Sequence, residues 1–177
     1  TSHPVRCFCE DEDGNILIGT KGSGIKLLNP ATKELTDYLN ESKGLISNSV
    51  YALRRNKAND IFIGTEGTGI NILNAATGQL EKLEIPDKYP PCKAVYNIYF
   101  TNNDSLLWVG TSGYGLIKIN ISREQGRYHV KGFRQYNSSD KNISLNNDVV
   151  YAITSDPEDN MLWFGTRGGG LNCINMK

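Results

Sequence analysis

The stretch Ile16-Leu17-Ile18-Gly19-Thr20-Lys21-Gly22-Ser23-Gly24-Ile25 decides the fold of this chain, because it is written three more times. The other copies run Ile61 to Ile70 (IFIGTEGTGI), Leu107 to Leu116 (LWVGTSGYGL) and Leu162 to Leu171 (LWFGTRGGGL). Counted from the first glycine of each copy, at Gly19, Gly64, Gly110 and Gly165, the spacings are 45, 46 and 55 residues. That period suits a four-stranded propeller blade and is too long for leucine-rich or ankyrin units.

Outward from the phrase, each repeat consists of short apolar runs broken by turn residues, which is strand and not helix spacing. In the second repeat, Val50-Tyr51-Ala52-Leu53 is a first strand and Ile61-Phe62-Ile63-Gly64 a second. The Gly67-Thr68-Gly69 bend leads into a third strand, Ile70 to Leu73, and Leu80 to Ile85 makes a fourth. First strands recur at Val5 to Phe8, Val95 to Ile98 and Val150 to Ile153. Connections this short make successive strands an antiparallel meander. The turns between first and second strands hold Asp, Asn or Gly, as in Asp11 to Asn15, Asn56 to Asp60, Asn102 to Asp104 and Asp156 to Asn160, residues suited to capped turns and positive φ.

The phrase itself has a structural reading. Gly19, Gly64, Gly110 and Gly165 sit where the second strand ends against its neighbour, and the two later glycines of each copy supply positive φ for a tight bend. Thr20, Thr65, Thr111 and Thr166 follow the first glycines. Trp108 and Trp163 stand where the first two repeats have Leu17 and Phe62, a place for a large apolar residue between blades. One blade cannot bury both faces of its sheet, so blades stack around a ring. The expectation is an all-β propeller fragment of about four consecutive blades, 1–45, 46–90, 91–145 and an incomplete 146–177, cut from a larger ring, with seven blades expected.

The bulk properties exclude several classes. Hydrophobic residues at 38% and charged ones at 21% describe an ordinary globular composition, not a disordered chain. Nineteen basic residues against nineteen acidic leave no field for a phosphate backbone, so nucleic acid is not the expected partner. No apolar run approaches the ~20 residues of a membrane span, and no export-signal pattern opens the chain. Cys7, Cys9, Cys92 and Cys173, with only His3 and His129, do not space as a zinc site, and Cys7 and Cys9 share one strand face as buried free thiols.

Other chemistry fails on the residues. A dinucleotide fingerprint needs a third glycine opening a helix, whereas a strand follows each Gly-x-Gly here. Asp11, Asp13 and Asn15 lack the downstream Glu of a calcium loop and read as a turn. Asn40, Asn120, Asn137 and Asn142 begin glycosylation sequons. No cofactor or metal is expected.

With Val-Tyr-x-Ile ahead of hydrophobic-Gly-Thr-x-Gly-x-Gly-Leu, all four repeats resemble the two-component regulator propeller repeat. Ile143 to Ile153 followed by Leu162 to Thr166 is particularly similar, as is Gly44 to Tyr51. The resemblance implies an extracytoplasmic, periplasmic sensor region of a Bacteroides-type hybrid two-component system, sensing oligosaccharides and signalling as a homodimer to a cytoplasmic histidine kinase that controls transcription. The segment itself is then not an enzyme. A quinoprotein-like or glycan-processing propeller enzyme and a protein-binding scaffold are the alternatives.

Function in such a ring is grafted onto loops. The bends vary between fixed glycines, and the inter-blade links emerge on the same face. Lys21, Asn48, Glu66, Tyr114, Asn147 and Arg167 are therefore the candidate ligand-binding residues for an oligosaccharide, by ring stacking and by charged and amide groups on hydroxyls.

Overall fold

A computed structural model describes residues 2–140, 145–156 and 158–176. Its strands, in chain order, are β1 (Val5–Glu10), β2 (Ile16–Thr20), β3 (Ile25–Leu28), β4 (Leu35–Leu39), β5 (Val50–Arg55), β6 (Ile61–Thr65), β7 (Ile70–Leu73) and β8 (Leu80–Lys82). They continue as β9 (Val95–Thr101), β10 (Leu106–Thr111), β11 (Leu116–Glu124), β12 (Arg127–Tyr136), β13 (Val150–Asp156), β14 (Met161–Thr166) and β15 (Gly170–Asn175). Each repeat is one antiparallel meander, with three sheets of four strands and a last sheet, β13-β14-β15, of three. The first strands β1, β5, β9 and β13 lie side by side, and each second strand touches the first strand of the next sheet. This is a propeller, with the first strands lining its axis.

The fourth strand of the second repeat is shorter than its alternation predicts, ending at Lys82. Leu83 still donates its N–H to the Ile70 carbonyl at 2.9 Å and is fully buried, after which Pro86 diverts the chain. Most of the extra length in the 55-residue spacing lies in an outer hairpin, since β11 and β12 have 9 and 10 residues where β3 and β4 have 4 and 5.

Three apolar clusters fill the gaps between successive sheets. Leu17 packs with Val50, Leu53 and Ile63 between the first two sheets. Phe62 packs with Val95, Ile98 and Val109 between the second and third, and Trp108 with Val150, Ile153 and Phe164 between the third and fourth. All three large side chains are fully buried, and each such burial contributes about 1.5–3 kcal/mol. Trp163, at the same register on β14, is only half-buried, because no following sheet covers it among the described residues.

The first glycine of the phrase sets how closely the sheets approach. A Cβ on Gly64 would lie 2.5 Å from Val95 Cγ1, and one on Gly110 2.8 Å from the Val150 carbonyl oxygen. A Cβ on Gly19 would lie 2.9 Å from Val50 Cγ1. Val50, Val95 and Val150 are fully buried in these seats, while Val5, with no seat glycine ahead of it among the described residues, is 41% exposed. Around Gly165 the nearest such neighbour is Ala152 Cβ, at 3.9 Å.

At the end away from the bends, the second and third sheets are clasped by a buried polar cluster. Asp60, with a fully buried side chain, accepts a hydrogen bond from the Tyr128 hydroxyl (2.7 Å) and pairs with Arg123 (3.1 Å). Its other oxygen accepts the Ala75 N–H, and Asn56 donates to the Tyr128 hydroxyl at 2.6 Å. Burial and the Asp60 carboxylate push the Tyr128 phenol up to about 12.

In this 177-residue chain, Gly110→Ala is expected to destabilise by about 1–3 kcal/mol through overpacking. Gly165→Ala, with free space around it, changes stability by about 0.5 kcal/mol or less. Urea midpoints of the two variants against the parent check this, and equal shifts would be contrary to it.

Candidate functional site

Each bend is pinned by the threonine that follows the seat glycine. Thr20 and Thr111 are fully buried, and their hydroxyls donate to the Gly24 and Gly115 carbonyls at 2.9 and 2.8 Å. The same hydroxyls accept the N–H of Ser23 and Tyr114, both at 3.1 Å, so one oxygen closes the loop from both sides. Thr166 repeats the first contact more loosely, reaching the Gly170 carbonyl at 3.4 Å. The second bend departs from the pattern. There Thr65 accepts the Gly67 N–H at 3.2 Å, and Gly67 does not take the positive φ expected of it. Gly67 is needed because a Cβ would lie 2.4 Å from Ile46 Cγ2 of the preceding link.

Bends and links lie on the same face and are hydrogen-bonded to each other. The Asn48 carbonyl accepts the N–H of Gly22 and Gly24, and the Asp148 carbonyl those of Gly113 and Gly115. At the second bend Gly69 donates to the Cys92 carbonyl. The residue after each threonine then reaches toward the axis in a common register. The N–H groups of Lys21, Glu66, Ser112 and Arg167 donate to the carbonyls of Pro4, Ser49, Ala94 and Val149, each immediately before a first strand.

The first strands add a second tier. In all four, pairing with the second strand shifts by one residue, between Val5 and Cys7, Val50 and Ala52, Val95 and Asn97, and Val150 and Ala152. The extra residue of each β-bulge is Arg6, Tyr51, Tyr96 or Tyr151. A bulge re-aims a side chain. Here the valine enters the glycine seat, and its neighbour is freed to face the axis.

The four axial side chains touch in sequence. The Arg6 guanidinium carbon lies 5.8 Å from the Tyr51 ring centre. Tyr51 meets Tyr96 edge to face at 4.8 Å, and Tyr96 stacks on Tyr151 at 5.3 Å. With Lys21 they line a cleft of about 360 Å³. Burial, with Glu66 and Tyr96 close by, pushes the Tyr51 phenol above its ordinary value against the pull of Arg6. A larger cleft of about 680 Å³ opens between the third and fourth sheets at the other end. Lys118 is the only titratable group lining it among the described residues, and its ammonium rests over the Trp108 ring.

The structure therefore divides the six candidates. Lys21, Glu66 and Arg167 share the exposed upper tier around the axis. Tyr114 is half-buried in its own bend, where its carbonyl accepts from Gln135 at 2.8 Å. Asn48 and Asn147 have their amides engaged. Asn48 Oδ1 accepts the Glu41 N–H at 2.9 Å while Glu41 Oε1 accepts the Asn48 N–H at 2.8 Å, and Asn147 Oδ1 accepts the Val149 N–H at 2.9 Å. Arg6 and the three tyrosines were missed by loop-based reasoning because they lie on strands. The signal for them was the residue after the valine that opens each first strand. The sequon residue Asn142, and Ile143 and Ser144 of the similar stretch, lie outside the described residues.

Asn48→Ala is expected to cost about 1 kcal/mol of stability through its lost link contacts. Lys21→Ala, Glu66→Ala and Arg167→Ala should each stay within about 0.5 kcal/mol. Chemical denaturation of the four variants measures the difference. A loss at Arg167 as large as at Asn48 would place that side chain in the framework.

Comparison with known proteins follows the same lines. Residues 1–22 match the family model described as Two component regulator propeller. The chain is 28% identical over 176 residues to Histidine kinase P4 of Formosa agariphila, covering 96% of this chain and 12% of that protein. In fold it is similar to the extracellular domain described as that of hybrid two component system BT3049 from B. thetaiotaomicron, with TM-score 0.70, 21% identity, and coverage of 98% of this chain and 23% of that one. The beta-propeller domain of Myceliophteria thermophila Cps50 (Swd1) is similar with TM-score 0.65, 14% identity, and coverage of 99% and 53%. At these identities the structural likeness is one of fold. In its repeats, in its family match and in its fold, the chain resembles the two-component regulator propellers.

Proposed function

We propose that this chain is part of the ligand-sensing propeller of a hybrid two-component system. It lies outside the cytoplasm, in the periplasm, and recognises an oligosaccharide released from a complex glycan. Binding is passed to a histidine kinase that controls transcription of polysaccharide-utilisation genes. The chain spans 12% of the kinase relative, so that activity belongs to a longer protein. The remaining blades of a seven-bladed ring complete the propeller, and a homodimer carries the signal when ligand favours one arrangement of two rigid discs.

The observation that carries this reading is the convergence of side chains of different chemistry on one axial mouth, held by a backbone frame that repeats almost without change. Lys21, Glu66, Ser112 and Arg167 occupy one register position, and Arg6, Tyr51, Tyr96 and Tyr151 another. Aromatic edges beside charged donors and acceptors suit a polyhydroxylated ligand. The proposed role of the mouth is binding without turnover.

A thermal-shift screen of glycan fragments is expected to raise the melting temperature with at least one oligosaccharide. Arg167→Ala or Lys21→Ala should then weaken its calorimetric affinity while leaving the fold intact. Unchanged affinity in both variants would remove these residues from the site, and conversion of the added oligosaccharide would favour an enzyme.

A further inference from the structure

The axial cleft is lined by polar groups whose hydroxyls and charges are not committed to a protein hydrogen bond or ion pair among the described residues. No hydrogen bond among the described residues engages the hydroxyl of Tyr51, Tyr96 or Tyr151, and neither Arg6 nor Lys21 has an ion pair. Elsewhere in the fold such groups are used. Tyr128 and Tyr99 are hydrogen-bonded, and Arg123 is paired with a buried carboxylate. The four bulges hold Arg6 and the three tyrosines side by side, at centre distances of 4.8 to 5.8 Å.

The charge at this mouth is unbalanced even though the chain as a whole is neutral. Arg6 and Lys21 line the cleft, and Arg167 stands at the Lys21 register on the fourth bend. Glu66 is the single carboxylate at that register. An arginine offers a planar fork of donors that fits carboxylate or sulfate in bidentate fashion, and phenols offer short O–H contacts to the same oxygens.

We propose that the axial cleft takes an acidic oligosaccharide, one carrying carboxylate or sulfate groups, with Arg6 and Lys21 on the acid group. This rests on the oligosaccharide reading above and narrows it. Tyr51, Tyr96 and Tyr151 donate to ring and acid oxygens and present their edges to the sugar. Glu66, beside Tyr51 at the mouth, accepts from sugar hydroxyls. Selectivity against neutral sugars then comes from the charge-assisted hydrogen bonds that the two cations make to an acid group and not to a neutral one.

Titration calorimetry on the full chain tests this with three probes: tetragalacturonate, a chondroitin sulfate tetrasaccharide and neutral galactotetraose. At least one acidic probe should bind about tenfold or more tightly than the neutral one, as loss of charge-assisted hydrogen bonds implies. Its affinity should fall with added salt. The double variant Arg6→Gln with Lys21→Gln should lose about tenfold or more, and Tyr96→Phe about fivefold. Unchanged thermal midpoints show that the variants fold. Neutral binding equal to acidic binding, or an unaffected double variant, overturns acid recognition and leaves the sensor reading in place. If no oligosaccharide of either kind binds, both readings fall.

Discussion

The whole structure depends on a steric fit between a missing side chain and a present one. Where the second strand of a sheet ends, glycine leaves a hollow, and the valine opening the next sheet fills it at distances no Cβ would tolerate. The contact is local and repeats three times, at Gly19 and Val50, Gly64 and Val95, and Gly110 and Val150. It fixes how near neighbouring sheets come, and so fixes the space that Leu17, Phe62 and Trp108 must fill. Close packing makes such a fit all or nothing, since the interior has little slack to absorb an extra methyl group.

The same contact shapes the axial mouth proposed for recognition. To place a valine in the hollow and continue the strand, the chain inserts one extra residue, and that residue turns to the axis. The framework of the bend, a buried threonine and a link carbonyl that in the first and third bends accepts two N–H groups, leaves the next side chain free to vary. Framework and proposed recognition thus fall on adjacent positions: Val5 beside Arg6, Val50 beside Tyr51, Thr20 beside Lys21, Thr166 beside Arg167. Changes at the second member of each pair touch little of what holds the sheets together.

Much of this was legible from residue order alone. The period and the apolar runs gave sheets of four strands and a last one of three, and the larger residue before each Gly-Thr was assigned between blades. What the sequence hid has physical causes. The threonine of Gly-Thr has no visible partner until the bend folds its hydroxyl against a carbonyl four residues on. Asp60 reads as a turn residue, and only the long outer hairpin brings Arg123 and Tyr128 to it. The axial row was hidden because alternation assumes regular pairing, and a bulge breaks alternation at the residue that matters. Asn48 and Asn147 looked available because a loop amide and a loop-capping amide are the same letter.

The most direct test of the central claim is a double-mutant cycle between the hollow and its occupant, Gly64→Ala and Val95→Ala, read from equilibrium unfolding. The account predicts strong non-additivity, with the smaller residue at 95 relieving part of the cost of the methyl at 64, for a coupling of about 0.5–3 kcal/mol. Purely additive losses would mean that the two positions do not share a space, and the sheets would then have to be held together by something other than this fit.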